Sequence, residues 1–271
     1  MDRLIKEGLI LLAIGAAVLF GLSQINYLKI LRLDSSKGNA FEYLGKFYLE
    51  DLAEKEIELK DSESRAFIDS LRNRICLSNG LDTSKYQIYF FDVNEFNAYA
   101  IPGNAIILNS EVVRFAENAD EVAGVLCHEI AHHEKDHVRK GVMGQLGIQF
   151  LLVTITGTIN ENLSGLIAQL GWSKYSRSNE QEADDVAVKY LMNAKINPKH
   201  MANLFDRMAK ELEGKQSTIN INVDIFDSHP ETKARAKRIR TQLKNQTNYK
   251  SAYDQEAFED LKSNLNTKGE L

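Results

Sequence analysis

Residues 128–132 read His-Glu-Ile-Ala-His, and their spacing is that of a metal site. Residues four apart on a helix lie about 40° apart around it, so His128 and His132 present their imidazoles to one point, with Glu129 alongside at about 100° from the first. Two neutral nitrogens and an adjacent carboxylate are the parts needed to hold a divalent ion and to take a proton from water beside it. With six histidines in the chain, the pattern arises by chance on the order of one per cent of the time, so its context has to agree. It does: Asp120 can cap a helix there, and Val122, Ala123, Val125 and Leu126 give it an apolar face.

A zinc site with two histidines needs a third protein ligand and an open position for water. His133 and His137 form their own i, i+4 pair, but at about 140° and 180° from His128 they are predicted to point away, as hydrogen-bonded or solvated side chains. Lys135 and Val138 stand where a metzincin helix would carry Gly and His. Cys127, about 140° from His132, reads as a small buried residue. The candidate third ligand lies in Tyr175–Asp185 (YSRSNEQEADD). On a helix starting near Ser178, Glu180 and Asp184 share a face, so Glu180 could ligate while Asp184 accepts an imidazole N–H and fixes its tautomer. An acidic first turn also favours a helix macrodipole, and taken alone that reading is the commoner one.

The elements that must position these residues are mostly helical. Apolar spacings of three and four predict helices over 38–60 (Phe41, Leu44, Tyr48, Leu52) and from Ser62 (Ala66, Phe67, Leu71, Ile75), the second capped by Asp61 or Ser62 and ended by Asn79-Gly80. The period then changes to two. Tyr86–Phe91 and Ala98–Ile101 read as strands, Pro102-Gly103-Asn104 as a turn and Ala105–Leu108 as the return strand. Helices are predicted again over Asp120–Lys140, Ser178–Ala194, Pro198–Glu213 and Glu231–Gln242, and Ile219–Phe226 alternates as an extended loop or short strand. From Asn245 the chain is polar, with a weak stripe at Phe258, Leu261 and Leu265, giving a surface helix or frayed tail.

Composition bounds the function. With 33 basic against 38 acidic side chains and a net charge of −5, the chain lacks the cationic excess that phosphate neutralisation demands, which argues against a nucleic-acid partner. Its 44% hydrophobic content supports a packed core rather than disorder, and two cysteines, Cys76 and Cys127, cannot make a disulfide framework.

Several segments in the same order resemble the M48 family of zinc metallopeptidases, which includes the Ste24-type CAAX-processing enzymes, the HtpX heat-shock proteases, the Oma1 proteases and the BepA-like envelope proteases. They are HEIAH at 128–132, SRSNEQEAD at 176–184, NAYAIPGNAIILNSEV at 97–112 and DSHPETKAR at 227–235. Asn104 stands where a second glycine is commoner. The resemblance implies an α+β, mostly helical zincin-like domain with a small sheet or hairpin beside the active-site helix. It implies a gluzincin endopeptidase with one zinc per chain held by His128, His132 and Glu180, Glu129 as the base, Asp184 holding a ligating imidazole from behind, and Glu182 as a flanking carboxylate. It places His229 and Arg235 near the site as candidate oxyanion donors; His229 is alternatively a latency ligand at the open metal position, or a loop residue capping the helix after Pro230. Ala105, Ile106, Ile107, Leu108 and Asn109, or their partner strand, are expected to pair with an extended polypeptide substrate. By analogy the substrates are misfolded or partly unfolded envelope proteins, for quality control or processing.

Two uncharged runs bear on location. Gly8–Leu28 has 21 consecutive uncharged residues, about 31 Å as a helix, which predicts an N-terminal transmembrane helix and a single-pass membrane anchor. A cleaved signal is disfavoured because Asp2 and Glu7 offset Arg3 and Lys6 and no A-x-A follows. Gly141–Asn160 is similar in length but holds Gln145, Gln149, Thr154, Thr156, Thr158 and Asn160, which favours a partly covered helix or lid over a membrane hairpin with 163–172. The expected organisation is an anchor over 1–30, a metallopeptidase domain over 31–245 and a tail over 246–271, with the catalytic domain in the cell envelope outside the cytoplasm. Two alternatives remain: an intramembrane CAAX-type processing protease, and a non-catalytic zinc-binding, chaperone-like module.

Overall fold

The computed structural model describes residues 38–145, 175–213, 232–243 and 248–268. The chain separates into two compact units, Met1–Ala40 and Phe41–Leu271, and every described side chain belongs to the second. Its helices are α1 (Gly38–Lys55), α2 (Ser62–Ser78), the short α3 (Ser110–Phe115), α4 (Ala119–Glu134), α5 (Arg177–Asn193), α6 (Lys199–Glu213), α7 (Thr232–Gln242) and α8 (Gln255–Lys268), with a further helical stretch over 137–145. The strands are β1 (Ile57–Glu58), β2 (Gln87–Asp92), β3 (Ala98–Ile101) and β4 (Ala105–Asn109), in the sheet order β1-β2-β4-β3.

The hairpin predicted from the alternating pattern forms, with Ala98 opposite Leu108 and Ile101 opposite Ala105. Its turn places Gly103 at φ 85° and Asn104 at φ 58°. Asn is among the few side chains that tolerate this left-handed region, which explains why an asparagine serves where a second glycine was expected. The chain then doubles back so that β4 lies between β3 and β2, parallel to β2 with Gln87 opposite Ala105. Pairing on both sides leaves β4 no free edge, which corrects the expectation that Ala105–Asn109 would themselves accept a substrate strand. The outer strand of the hairpin is β3.

Beneath this sheet runs α4, buried on nearly all sides from Ala119 to His132. Asn118 caps it by accepting the Glu121 N–H at 3.2 Å. Val122, Leu126 and Ile130 join Phe67, Leu71 and Ile75 of α2, Ile106 and Leu108 of β4, and Ala187 and Leu191 of α5 in one core. Gly124 lets α6 cross closely, since a Cβ there would lie 2.8 Å from Met201 Cβ. The Arg207 guanidinium of α6 donates to the buried Glu121 carboxylate at 2.7 Å, fixing the crossing by charge. Phe258, Leu261 and Leu265 of α8 are buried as well, with the Phe258 ring 5.7 Å from that of Phe67, so the weak stripe near the C-terminus is a packing face.

The helix predicted over Asp120–Lys140 is broken. α4 ends at Glu134, Asp136 takes φ 60°, and helix resumes at 137. The Lys135 N–H closes on Ala131 O at 3.0 Å and the Asp136 N–H on His133 O at 3.0 Å, a left-handed helix cap. Asp136 then accepts from Arg139 Nε at 3.1 Å.

The membrane anchor is corrected. Among the described residues no helix is long and apolar enough to cross a membrane; the longest, α1, has 18 residues and carries Glu42, Lys46, Glu50, Asp51, Glu54 and Lys55 along its length. The Gly8–Leu28 run lies outside the described residues, as do Ile219–Phe226 and all but 141–145 of the expected lid or membrane hairpin over 141–160 and 163–172. The membrane partner, the single-pass envelope location and the transmembrane part of the fold class rested on that anchor and lose their support with it.

His133 secures the end of α4 to the sheet. Its Nε2–H donates to Ala105 O at 3.0 Å, while Glu134 accepts from the Tyr86 hydroxyl and from Lys85 Nζ. Burial pushes the His133 pKa down from 6.5 to about 4, against the carbonyl contact that raises it. A group with a depressed cationic pKa contributes stability that is complete above 6.5 and is lost as pH falls from there toward 4, on the order of 3 kcal/mol across that window. His133→Gln keeps a donor but has no proton to bind, so its denaturant midpoint should fall less between pH 7 and pH 4.5 than that of the wild type. Parallel losses in the two proteins would show that His133 is not held neutral.

Candidate metal centre and active site

Two helices bring the predicted ligands together. His128 and His132 lie one turn apart on the inner face of α4 with their Nε2 atoms 3.0 Å apart. Ser176 caps α5 by accepting the Asn179 N–H at 3.2 Å, which starts the helix at Arg177 and turns Glu180 and Asp184 inward toward α4; both carboxylates are buried. Glu180 Oε1 lies 3.3 Å from His132 Nε2, and Oε2 lies 3.5 Å from His128 Nε2.

Those distances test whether zinc fits. A tetrahedral ion with bonds of about 2.0–2.1 Å to nitrogen and oxygen sets its ligand atoms about 3.3–3.4 Å apart, and 3.0, 3.3 and 3.5 Å bracket that value. His128, His132 and Glu180 are buried and offer ligand atoms that all lie within 4.8 Å of one another. Among the described residues the donor set is two imidazoles and one carboxylate, the composition of a catalytic zinc set rather than the thiolate-rich set of a structural site. It supports a single mononuclear zinc per chain.

Behind the ligands the residues are also held. His128 Nδ1 lies 3.1 Å from Asp184 Oδ1. Arg235, on α7, grips Asp184 with Nε at 2.9 Å and Nη2 at 2.8 Å, and its Nη1 lies 2.9 Å from Glu180 Oε2. Burial pushes the Asp184 carboxyl up, but the Arg235 guanidinium and the His128 hydrogen bond override it and hold the group below the usual carboxylate range. All three Arg235 nitrogens therefore face carboxylates, which fits clamping Glu180 and Asp184 better than donating to a substrate oxygen. His229 lies outside the described residues.

Two residues near the centre were misplaced or overlooked by the sequence reading. His137 was expected to point away; it is buried, with Nδ1 3.1 Å from His132 Nδ1 and Nε2 3.3 Å from Glu182 Oε2. The reorientation follows from the break at Asp136, which no helical periodicity announces. Tyr175 stacks on His132 with ring centroids 3.8 Å apart and planes 23° apart; its only signal was its place just ahead of the α5 cap. Beside the centre, Phe96, Ala98, Val125, Phe205 and Met208 line a cleft into which His128, Glu129 and Arg235 also face.

The alternative readings gain nothing here. An intramembrane CAAX-type enzyme would need spanning helices, and there are none among the described residues. A non-catalytic holder of zinc has no use for an acid such as Glu129, buried next to a ligand.

The comparisons with known proteins agree with the geometry. Residues 63–243 match the model for peptidase family M48. The chain is 28% identical over 208 residues to metalloprotease LoiP of Escherichia coli (strain K12), covering 72% of this chain and 79% of that protein. It is 26% identical over 181 residues to the beta-barrel assembly-enhancing protease of Yersinia pestis, covering 62% of this chain and 37% of the relative. With the mitochondrial metalloendopeptidase OMA1 of Saccharomyces cerevisiae it shares 26% identity over 168 residues, 59% of this chain and 47% of the other. The chain thus spans little more than a third of the beta-barrel assembly-enhancing protease, and its own substrates do not follow from that protein's name. Because the matched span runs from α2 through α7, it takes in every element that supplies or braces a ligand, and the chain accordingly belongs to peptidase family M48 as a zinc-dependent metalloendopeptidase.

Proposed function

We propose that this metalloendopeptidase cleaves extended, partly unfolded stretches of polypeptide laid against β3, with Glu129 as the general base. The observation that carries the reading is the double position of Ala98, which belongs both to the outer strand of the hairpin and to the wall of the cleft that holds His128 and Glu129. A peptide added to β3 as a further strand would run past the metal centre, and only an extended chain can pair in this way. Folded proteins rarely expose such a segment, so clearance or processing of unfolded chains is the matching role.

When bound, zinc supplies a Lewis acid that acidifies water and polarises the scissile carbonyl. Glu129 accepts the proton of the attacking water and returns it to the leaving amine. Asp184 accepts the His128 Nδ1–H, which keeps the other ring nitrogen free of a proton and aimed at the metal. Arg235 holds Glu180 and Asp184 at a fixed spacing, and its charge offsets theirs in a buried site. The cleft walled by Phe96, Val125, Phe205 and Met208 receives an apolar side chain next to the scissile bond.

Glu129→Gln should slow cleavage of an unfolded test protein by roughly 10²–10⁴-fold while still binding about one zinc per chain, whereas Glu180→Ala should lose both the metal and the activity. Cleavage by the Gln variant at the wild-type rate would remove Glu129 from the role of base. In the cleft, Met208→Ala should shift kcat/KM toward peptides with a bulkier apolar residue beside the cut, by about 10-fold relative to small ones. An unchanged ranking across such a peptide series would place the specificity pocket elsewhere.

A further inference from the structure

The two ligating histidines are braced from behind in different ways, and the difference assigns a role to His137. His128 meets a carboxylate directly, through Nδ1 and Asp184 Oδ1 at 3.1 Å. His132 instead meets another imidazole, His137, with the two Nδ1 atoms 3.1 Å apart. Because His132 Nε2 faces Glu180 and the partner histidine, a neutral His132 that ligates through Nε2 carries its proton on Nδ1. Nδ1–H of His132 then donates, and Nδ1 of His137 must accept. That places the His137 proton on Nε2, which lies 3.3 Å from Glu182 Oε2, a carboxylate that can only accept. Lys135 Nζ fixes Glu182 at 2.8 Å.

We propose that His137 is a positioning residue for the zinc site: it accepts the His132 Nδ1–H, fixes the tautomer and ring rotation of that ligand, and passes the hydrogen bond on to Glu182. The backbone is shaped to permit this. On an unbroken helix His137 would lie about 140° around from His132, and the left-handed Asp136, at φ 60°, swings it back so that it is buried against the ligand. Tyr175 stacks on the His132 ring at 3.8 Å and limits its tilt.

Charge explains why an imidazole stands here instead of a second direct carboxylate. Glu129, Glu180 and Asp184 are already buried around the site, with Arg235 the cation paired to the last two. Among the described residues Arg235 is the one buried cation, so a further buried carboxylate would carry a desolvation cost without a second such partner. Interposing His137 moves the terminal acceptor one ring outward to Glu182, whose side chain is 48% exposed and paired with Lys135. Solvent and a lysine then carry the charge, and the ligand still ends on a carboxylate.

The inference rests on the ligand set and is independent of the part given to Glu129, so zinc affinity of the full-length protein is the readout, by competition with a chromogenic chelator. Removing a hydrogen-bond partner behind a ligating histidine typically weakens metal binding 10–100-fold, and His137→Leu should do so. His137→Asn places an accepting Oδ1 close to the lost Nδ1 and should bring affinity back to within about threefold of the wild type, since the first link of the relay survives. Glu182→Ala, at a half-exposed position, should weaken zinc about 3–10-fold with the unfolding midpoint of the zinc-free protein unchanged. If His137→Leu fails to fold, the Asn and Glu182→Ala variants decide. Equal losses in the Leu and Asn variants, unchanged affinity in Glu182→Ala, or a fall in zinc-free stability that accounts for the whole effect would each overturn the relay.

Discussion

Glu129, Glu180 and Asp184 are all buried within one small volume, and isolated carboxylates there would cost several kcal/mol each or refuse to ionise. Arg235 answers most of this demand, with two bonds to Asp184 and one contact to Glu180, and its guanidinium lies 4.4 Å above the Phe205 ring. A divalent ion held by His128, His132 and Glu180 answers the remainder. The docking of α7 follows from the same constraint, because Arg235 has to reach between α4 and α5 for the acidic pair on α5 to be tolerated at all.

That charge cluster would be of little use without a stiff frame. α4 is buried on almost every side, crossed closely by α6 at Gly124 and tied to it by Glu121 and Arg207. At its far end His133 fastens the helix to β4, and Glu134 fastens it to Tyr86, just ahead of β2. A helix fixed at both ends holds its ligands within the narrow tolerance that metal chemistry requires. The same fastening sets the distance between the metal centre and the hairpin. The metal centre and the strand proposed to take the peptide are thereby joined through one rigid element rather than through a loop.

Much of this was legible in the residues. The period of the apolar positions located α2, α4, α5 and the hairpin because burial of one face forces that period. The four-residue spacing of His128 and His132 needed only helical geometry to imply convergence. The same geometry put Glu180 and Asp184 on one face, but only the resemblance to the M48 family favoured ligation there over an ordinary acidic first turn. The Asn104 turn was visible as a turn, though not its left-handed backbone. The anchor is the opposite case. An uncharged run is a statement about composition, and no described helix has the length and apolarity to cross a membrane.

The sequence by itself determined the pairing of His128 with His132 and of Glu180 with Asp184 on helix faces, since that depends on local spacing along one element, and the order of its motifs supplied the family resemblance that named the third ligand. Only the tertiary structure decided that β3 and not β4 is the outer strand, because strand order depends on how the chain doubles back and leaves no mark in the alternation of side chains. It decided that Arg235 clamps carboxylates, because its partners come from a helix some fifty residues away in the chain. And it decided that His137 stands behind a metal ligand: a single left-handed residue at Asp136 rotates everything after it, and helical periodicity assumes that no such residue is there.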